Sequence, residues 1–369
     1  MKFQRNDLII PSILTVICWI VYPYPAIAMW TVFFLASYSA IANDSIQTIG
    51  TFIASNSDKK WYYLWIYMGG IFLFTVSYSW MNYGGDISYE RLVSKGLNEA
   101  PTEFKFLQVF APVALLIMTR FKMPLSTSIL LLSAFATKAS SITSILEKSF
   151  FGYFIAFIVA AIVWLITSKL FKKYKTSKPS KLWMPLQWLS SGALWSAWIM
   201  QDMANVAVVL PRSLSFEQFF IVASFIFFGL GLLFYLRGDR IQEIVTEKTD
   251  IIDVRAATIV DFTYACLLYY LKVMSTIPIS TTWVFIGLLG GRELAINLRL
   301  NKANVSLSIK MILKDALYAG IGLFISLIIA FSVNENMFSM SSSKYALIVF
   351  PLSLIYSILV SRGNKRLSL

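Results

Sequence analysis

Two aspartates stand out as residues able to do chemistry. Asp44 and Asp202 close apolar stretches and are flanked by carboxamides: Asn43 and Gln47 beside the first, Gln201 and Asn205 beside the second. An ionisable side chain inside a membrane segment costs ~2.5–3.5 kcal/mol at a helix centre on insertion scales, so carboxylates in such places are candidates for function. A carboxylate with amide carbonyls nearby is a hard-oxygen environment, suited to a small cation or to a proton. The alternative places both residues at the membrane surface, where they cap helices. A third carboxylate, Asp261, lies in an apolar run and either joins the functional set or pairs with Arg255.

The second chemical signal is a pair of hydroxyl runs behind prolines: Pro124-Leu125-Ser126-Thr127-Ser128 and Pro278-Ile279-Ser280-Thr281-Thr282. Proline suits the first turn of a helix and Ser or Thr its cap, so each run marks a place where a helix can begin. A helix start presents free N–H groups and the positive end of the dipole, which together favour an anion. Ser126, Thr127, Ser128, Ser280, Thr281 and Thr282 add hydroxyl donors, and two such starts facing each other can hold a tetrahedral oxyanion without any arginine. The competing reading is a proline kink whose hydroxyls bond back to their own helix.

The elements that must position these residues are membrane helices. Of 369 residues, 57% are hydrophobic and only 14% charged, against about a quarter charged in a soluble domain. Apolar runs approach or reach the ~20 residues that cross a bilayer: Leu8 to Tyr22, Ala26 to Ile41, Trp61 to Met81, Phe104 to Thr119, Phe150 to Thr167, Phe219 to Leu236, Ile259 to Leu271, Leu307 to Val333 and Tyr345 to Val360. They are continuously apolar without period-two alternation, so they read as helices and not as barrel strands. The expected fold is an all-α polytopic membrane protein with about 10–12 membrane segments.

The net charge of +13 does not point to nucleic acid, because the basic residues sit between apolar runs as the positive-inside rule requires. The clusters Lys169, Lys172, Lys173, Lys175, Lys178, Lys181 and Arg362, Lys365, Arg366 are expected on the cytoplasmic side, near lipid headgroups. Trp61, Trp183, Trp188 and Trp198 read as interfacial belts. Arg292 with Glu293 and Lys314 with Asp315 read as surface charge pairs. The two cysteines, Cys18 and Cys266, lie in apolar runs and read as small hydrophobes. The absence of histidine excludes imidazole bases, Ser-His triads and most zinc sites. The first apolar run lacks a clear small-residue cleavage site and reads as a retained helix.

The chain also looks duplicated. About 80 residues separate Asp44 from Pro124 and about 76 separate Asp202 from Pro278, on either side of a basic, proline-containing stretch. The expected organisation is a first repeat over 1–171, a cytoplasmic linker over 172–185 and a second repeat over 186–369. Transporters are commonly built from such repeats with the binding site between them. The spacing leaves open whether the pair is parallel or inverted.

The ordered set of motifs resembles the inorganic phosphate transporter family. Ala42-Asn43-Asp44-Ser45-Ile46-Gln47-Thr48-Ile49-Gly50-Thr51 follows that family's G-A-N-D-V-A-N-A-x-G-T pattern, and the two hydroxyl runs are similar to its two P-V-S-T-T-H copies. Gly238-Asp239-Arg240-Ile241-Gln242-Glu243-Ile244-Val245 is similar to its G-R-R-V-I-x-T-V segment. The resemblance implies a homodimer of inverted repeats with re-entrant helical hairpins in a multi-pass, bacterial inner-membrane protein. It implies phosphate at Ser126, Thr127, Ser128, Ser280, Thr281 and Thr282. It places the coupling cation at Asn43, Asp44, Gln201, Asp202, Asn205 and Asp261, with Na+ at Asn43, Asp44 and Asp202. No other cofactor is expected. The chain departs from the pattern at Ile41, near Ile71, at Gln201, at Ile129 and Trp283 where histidines follow the hydroxyls, and at Pro211, about two residues late. Phosphate and sulfate both stay open as substrate, as do Na+ and H+ as coupling ion. A membrane-embedded enzyme or a channel is the competing class, although no G-x-G-D segment or phosphotransferase-type aspartate cluster is present.

Overall fold

A computed structural model describes residues 6–93, 97–120, 125–136, 138–174, 179–237, 253–275, 278–300 and 305–334. Pro124, Lys175, Lys178, the 238–245 segment, the 345–360 run and the C-terminal basic cluster lie outside the described residues. Among those described there are twelve α-helices and no strand. In chain order they are α1 (Asn6–Val21), α2 (Pro25–Ser39), α3 (Ser45–Ser55), α4 (Trp61–Asn82), α5 (Phe106–Arg120) and α6 (Thr127–Phe135). Then follow α7 (Ala139–Tyr174), α8 (Trp183–Ala207), α9 (Phe216–Tyr235), α10 (Val254–Met274), α11 (Thr281–Leu300) and α12 (Val305–Val333). Six described segments are long and apolar enough to span a bilayer: Pro25–Asp44, Trp61–Asn82, Ala139–Thr167, Phe216–Tyr235, Val254–Met274 and Ser308–Val333. Ile9–Val21 and Phe106–Thr119 are shorter apolar helices. The chain is an all-helical polytopic membrane protein.

Burial explains why some helices carry polar residues and others do not. Ile13, Val16, Trp19 and Ile20 of α1, and Phe150, Phe154 and Ile158 of α7, present large side chains outward, as a lipid-facing surface requires. Helix α8 is the reverse: Gln187, Ser190, Ser191, Gln201, Asp202 and Asn205 are all buried along it. Its polar residues face the middle of the bundle. The same helix carries Trp198, which is 5% exposed and stacks on Trp195 at 4.9 Å. Trp198 therefore belongs to the core and not to an interfacial belt. Trp188 is likewise drawn inward, donating to Asn56 Oδ1 at 2.9 Å. Arg292 is also buried, its guanidinium over the Trp164 ring at 5.7 Å, so it is no surface charge.

Helices α7 and α11 approach closely, and glycine makes that possible. A Cβ on Gly287 would lie 2.3 Å from the Tyr153 carbonyl oxygen, and one on Gly291 would lie 2.0 Å from that of Phe157. Small residues four apart are the usual means of bringing membrane helices backbone to backbone. This contact fixes α11, and with it the hydroxyl run at its start.

The two ends of the bundle are tied differently. At one end Arg237 donates to the carbonyls of Ser57 and Lys59 at 2.9 and 3.0 Å, and Asn56 donates to Gln187 Oε1 at 2.9 Å. That end carries the start of α8 and so the linker. At the other end, Trp80 Nε1 of α4 donates to the Leu214 carbonyl and the Leu214 N–H donates to the Gly85 carbonyl, joining the end of α4 and the segment after it to the α8–α9 turn. Arg212 reinforces it by donating to the carbonyls of Leu97 and Val208 at 2.8 and 2.9 Å.

Candidate functional site

Helix α2 does not run straight into α3. Residues Ala40–Asp44 form a single π-helical turn, a local widening common at functional sites. It carries Asn43 and Asp44 into the core, where they are 6% and 1% exposed. Asn43 Nδ2 donates to Asp44 Oδ1 at 2.7 Å and to the Leu125 carbonyl at 3.3 Å. The motif is thereby anchored to the segment that leads into the first hydroxyl run.

Both hydroxyl runs begin helices, the first of the two readings their sequence allows. Ser126 caps α6, its Oγ accepting from the Ile129 N–H at 3.1 Å, and Ser280 caps α11 in the same way, accepting from the Trp283 N–H at 3.1 Å. Helix α6 is nine residues long and every one is buried, so it is a half-helix inside the protein. The two starts meet: Ser128 Oγ donates to the Ile279 carbonyl at 3.1 Å. Helix α7 holds the second start in place, Ser149 Oγ accepting from the Ser280 N–H at 2.9 Å. All six hydroxyl residues are buried, none more than 5% exposed.

The carboxylates lie against these starts. Ser128 Oγ also lies 3.1 Å from Asp202 Oδ1, so its single proton serves either that carboxylate or the Ile279 carbonyl, and Asn205 Nδ2 donates to the same carboxylate oxygen and to Ser128 Oγ. The Thr281 hydroxyl faces Asp202 and the Thr127 hydroxyl faces Asp44, the latter without full hydrogen-bond geometry. Asp44 and Asp202 are near enough to repel each other. Gln47 Nε2 donates to Thr282 Oγ1 at 3.3 Å. Gln47 stands three residues after Asp44 and Asn205 three after Asp202. Gln47 thus reaches Thr282 of the second hydroxyl run, and Asn205 reaches Ser128 of the first.

Several acceptors here have no donor. Gln47 Oε1, Gln201 Oε1, Asp202 Oδ2 and Asn205 Oδ1 are buried without a hydrogen-bond partner among the described residues. The orientations of Gln201 and Asn205 are fixed by their NH2 groups, which donate to the Leu268 carbonyl and to Asp202. A buried acceptor left unpaired costs about 1–3 kcal/mol, and a small cation coordinated by oxygens is one arrangement that satisfies several at once. A cavity of about 20 Å³ adjoins Asp202, bounded by Ser37, Ala40, Ile41 and Trp198 among others.

Asp261 is fully buried but stands apart from this cluster. Its two oxygens accept from Thr51 Oγ1, at 2.6 Å, and from Ser191 Oγ. Ser191 in turn accepts from Gln187, which accepts from Asn56. Arg255 does not neutralise Asp261; it pairs with Asp253, whose carboxyl is held below its ordinary range by that guanidinium.

One basic residue at the site is not among those that sequence reasoning singles out. After α4, Gly84 and Gly85 turn the chain at φ 59° and 91°. A Cβ on Gly85 would sit 2.9 Å from Ser213 Oγ. The Asp86 carboxylate then gathers the Ser88 N–H at 3.0 Å, the Ser88 hydroxyl at 2.8 Å and the Glu90 N–H at 2.6 Å. This cage holds Tyr89 and Glu90 in the left-handed region, at φ 56° and 58°. Tyr89 bonds the Thr75 carbonyl at 2.6 Å, and Arg91 turns inward, 2% exposed and within electrostatic reach of Asp202. Burial pushes the Arg91 guanidinium down to about 10 while Asp202 pulls the other way, so it remains a cation at neutral pH.

No protein-family model matches the chain, and no curated protein matches it. A solved structure described as "The sodium-dependent phosphate transporter" is similar at 16% sequence identity with a TM-score of 0.48, over 84% of this chain and 98% of that one. So weak a likeness assigns this chain no activity.

Proposed function

We propose that the chain is a secondary carrier that moves inorganic phosphate across the membrane together with Na+ or H+. One observation carries the reading: two serine-capped helix starts meet at two buried carboxylates. The helix starts favour an anion through their dipoles and free N–H groups. The carboxylates repel one. An oxyanion and two aspartates can share a low-dielectric centre only if cations or protons neutralise the carboxylates, and that requirement makes anion and cation binding depend on each other. Asn43, Asp44, Gln201, Asp202 and Asn205 supply oxygens for the cation. Ser126, Thr127, Ser128, Ser280, Thr281 and Thr282 supply the anion's donors. Asp261, held by hydroxyls alone, is assigned an accessory part in coupling. The matched partners of Gln47 and Asn205 support a duplicated chain whose halves, 1–171 and 186–369, enclose the centre.

Sulfate has the same shape as phosphate and is the alternative substrate. Purified protein in liposomes with an imposed Na+ or H+ gradient is expected to concentrate labelled phosphate or sulfate. Flux that only dissipates the anion gradient would make the protein a channel, and chemical turnover without uptake would make it an enzyme.

Orientation follows from the basic linker. With Cys18 and Cys266 replaced by serine, cysteine placed at Lys175 is expected to resist an impermeant maleimide added to intact cells. Ready labelling from outside would invert the assignment. With the linker inside, the Arg91 end of the bundle faces out.

A further inference from the structure

Four tryptophans of the bundle give their indole N–H to an oxygen of another segment. Trp65 donates to the Phe227 carbonyl, Trp80 to that of Leu214, Trp188 to Asn56 Oδ1 and Trp195 to the Met68 carbonyl. Trp198 does not: its Nε1 is buried without a hydrogen-bond partner among the described residues. Helical serines and threonines here commonly donate to the carbonyl four residues back, as Ser39, Thr75 and Ser149 do. Ser37 does not, and its hydroxyl is also buried and unpaired among the described residues. The third such group is Asp202 Oδ2. All three residues border the same cavity of about 20 Å³. Trp198 and Asp202 stand four apart on α8, and so on one face of it. Ala40 and Ile41 of the π-helical turn form part of the wall. Among the described residues that border the cavity there is none of either hydroxyl run, and neither Gln47, Gln201 nor Asn205. It is separate from the cluster that bonds Asp202 Oδ1.

We propose that this cavity binds one ordered water, which accepts from the Trp198 indole N–H and donates to Asp202 Oδ2 and Ser37 Oγ. A buried water needs roughly 10–15 Å³ of such space and about two to four polar partners. The cavity has room for one and offers three partners. The donor pattern separates water from a cation. An indole N–H only donates, so it opposes a bare cation and suits a molecule with a lone pair to offer. Ser37 and Asp202 supply two side-chain oxygens, well short of the about six that a hard cation collects. A carboxylate oxygen accepts from two directions, so Asp202 keeps a lone pair for the coupling cation. The water ties the end of α2 to α8 and fixes Oδ2, which makes Trp198 and Ser37 positioning residues for that carboxylate. The water site stands apart from the carrier reading; its effect on cation binding rests on that reading.

The first test is a crystal structure of the purified full-length protein at a resolution that shows waters, with a second crystal soaked in Tl+, which can stand in for Na+ and marks its position by anomalous scattering. The expected result is one peak within hydrogen-bond distance of Trp198 Nε1 and Asp202 Oδ2, without Tl+ signal. A cavity without density, or one that holds Tl+, would overturn the proposal. The second test is equilibrium binding of labelled sulfate at increasing Na+ or H+ concentration. Ser37→Ala, and Trp198→Phe, which keeps an aromatic ring against Trp195, are each expected to raise the cation concentration for half-maximal enhancement roughly two- to tenfold. Sulfate affinity at saturating cation is expected to stay at the wild-type value. A role in packing alone lowers thermal stability and leaves that concentration unmoved, which overturns the positioning role. Should Trp198→Phe fail to fold, Ser37→Ala decides. A wild type that holds the water but binds no oxyanion would overturn the carrier reading, and the positioning role with it, and leave the water site. Cation-dependent oxyanion binding without the water would do the reverse.

Discussion

Asp44→Asn and Asp202→Asn are each expected to remove most coupled uptake, more than a hundredfold, with expression intact. The two carboxylates are 1% and 2% exposed. Breaking a buried ion pair by removing one partner costs ~3–5 kcal/mol, because the remaining charge is left uncompensated, and each 1.4 kcal/mol is tenfold in affinity. Here the charge left behind is the coupling cation. The protein itself tolerates the change well. Asparagine keeps an oxygen for Ser128 and Asn205 at position 202, and losing a charge from the membrane interior relieves an insertion cost. The measurement is ion-dependent uptake in liposomes beside expression level and thermal stability. Normal ion dependence in both variants would remove Asp44 and Asp202 from the coupling site. Asp261→Asn is expected to have a smaller effect, since one of the two hydroxyls, Thr51 or Ser191, still donates to the remaining oxygen and the other can turn to accept from the new NH2.

Thr127→Val and Thr281→Val nearly preserve volume and remove one hydroxyl each from the two helix starts. Each lost hydrogen bond to a charged ligand weakens binding by ~1.5–3 kcal/mol, so the substrate concentration for half-maximal uptake is expected to rise roughly tenfold or more in both variants. The effects should be alike, because Thr127 faces Asp44 as Thr281 faces Asp202. Ser133→Ala is the control. Ser133 is buried further along α6 and its hydroxyl makes no hydrogen bond among the described residues, so its loss should leave the half-saturating concentration unchanged. A proline kink with self-satisfied hydroxyls predicts altered stability and unchanged affinity instead.

The centre of the site was legible because its residues break a strong background. Asp44, Asp202 and the hydroxyl runs are polar islands in apolar sequence, and their recurrence at similar separations marked them as a set. The structure brings those residues together, and it sets Asp261 a little aside. Other parts were hidden for physical reasons. Helix α8 is not a continuous apolar run, since Gln187, Ser191, Gln201, Asp202 and Asn205 turn inward, so hydropathy alone passed over a central helix. Trp198 sat near enough to that polar stretch to resemble a boundary aromatic, yet it stacks in the core. The π-helical turn at Ala40–Asp44 has no composition signal of its own. Arg91 reads as an ordinary loop cation, because its burial depends on the Gly84-Gly85 turn and the Asp86 cage folding that loop back onto α4. Of these, only the Gly84-Gly85-Asp86 run carried a local signal, that of a tight turn.

Mutual dependence of anion and cation is the central claim, and linkage makes it measurable at equilibrium. A cation that strengthens phosphate binding must itself be bound more tightly when phosphate is present, by the same factor. Calorimetric titration of the purified protein with phosphate and with sulfate, in Na+ and in choline at fixed pH and again at a lower pH in choline, separates Na+ from H+. Sulfate keeps the same charge across that range and so reports protonation of the protein alone. The expected result is oxyanion binding at least fivefold tighter with one of the two cations, a gain lost in Asp44→Asn and Asp202→Asn. Oxyanion binding of equal strength in every condition, or none in any, would contradict the account.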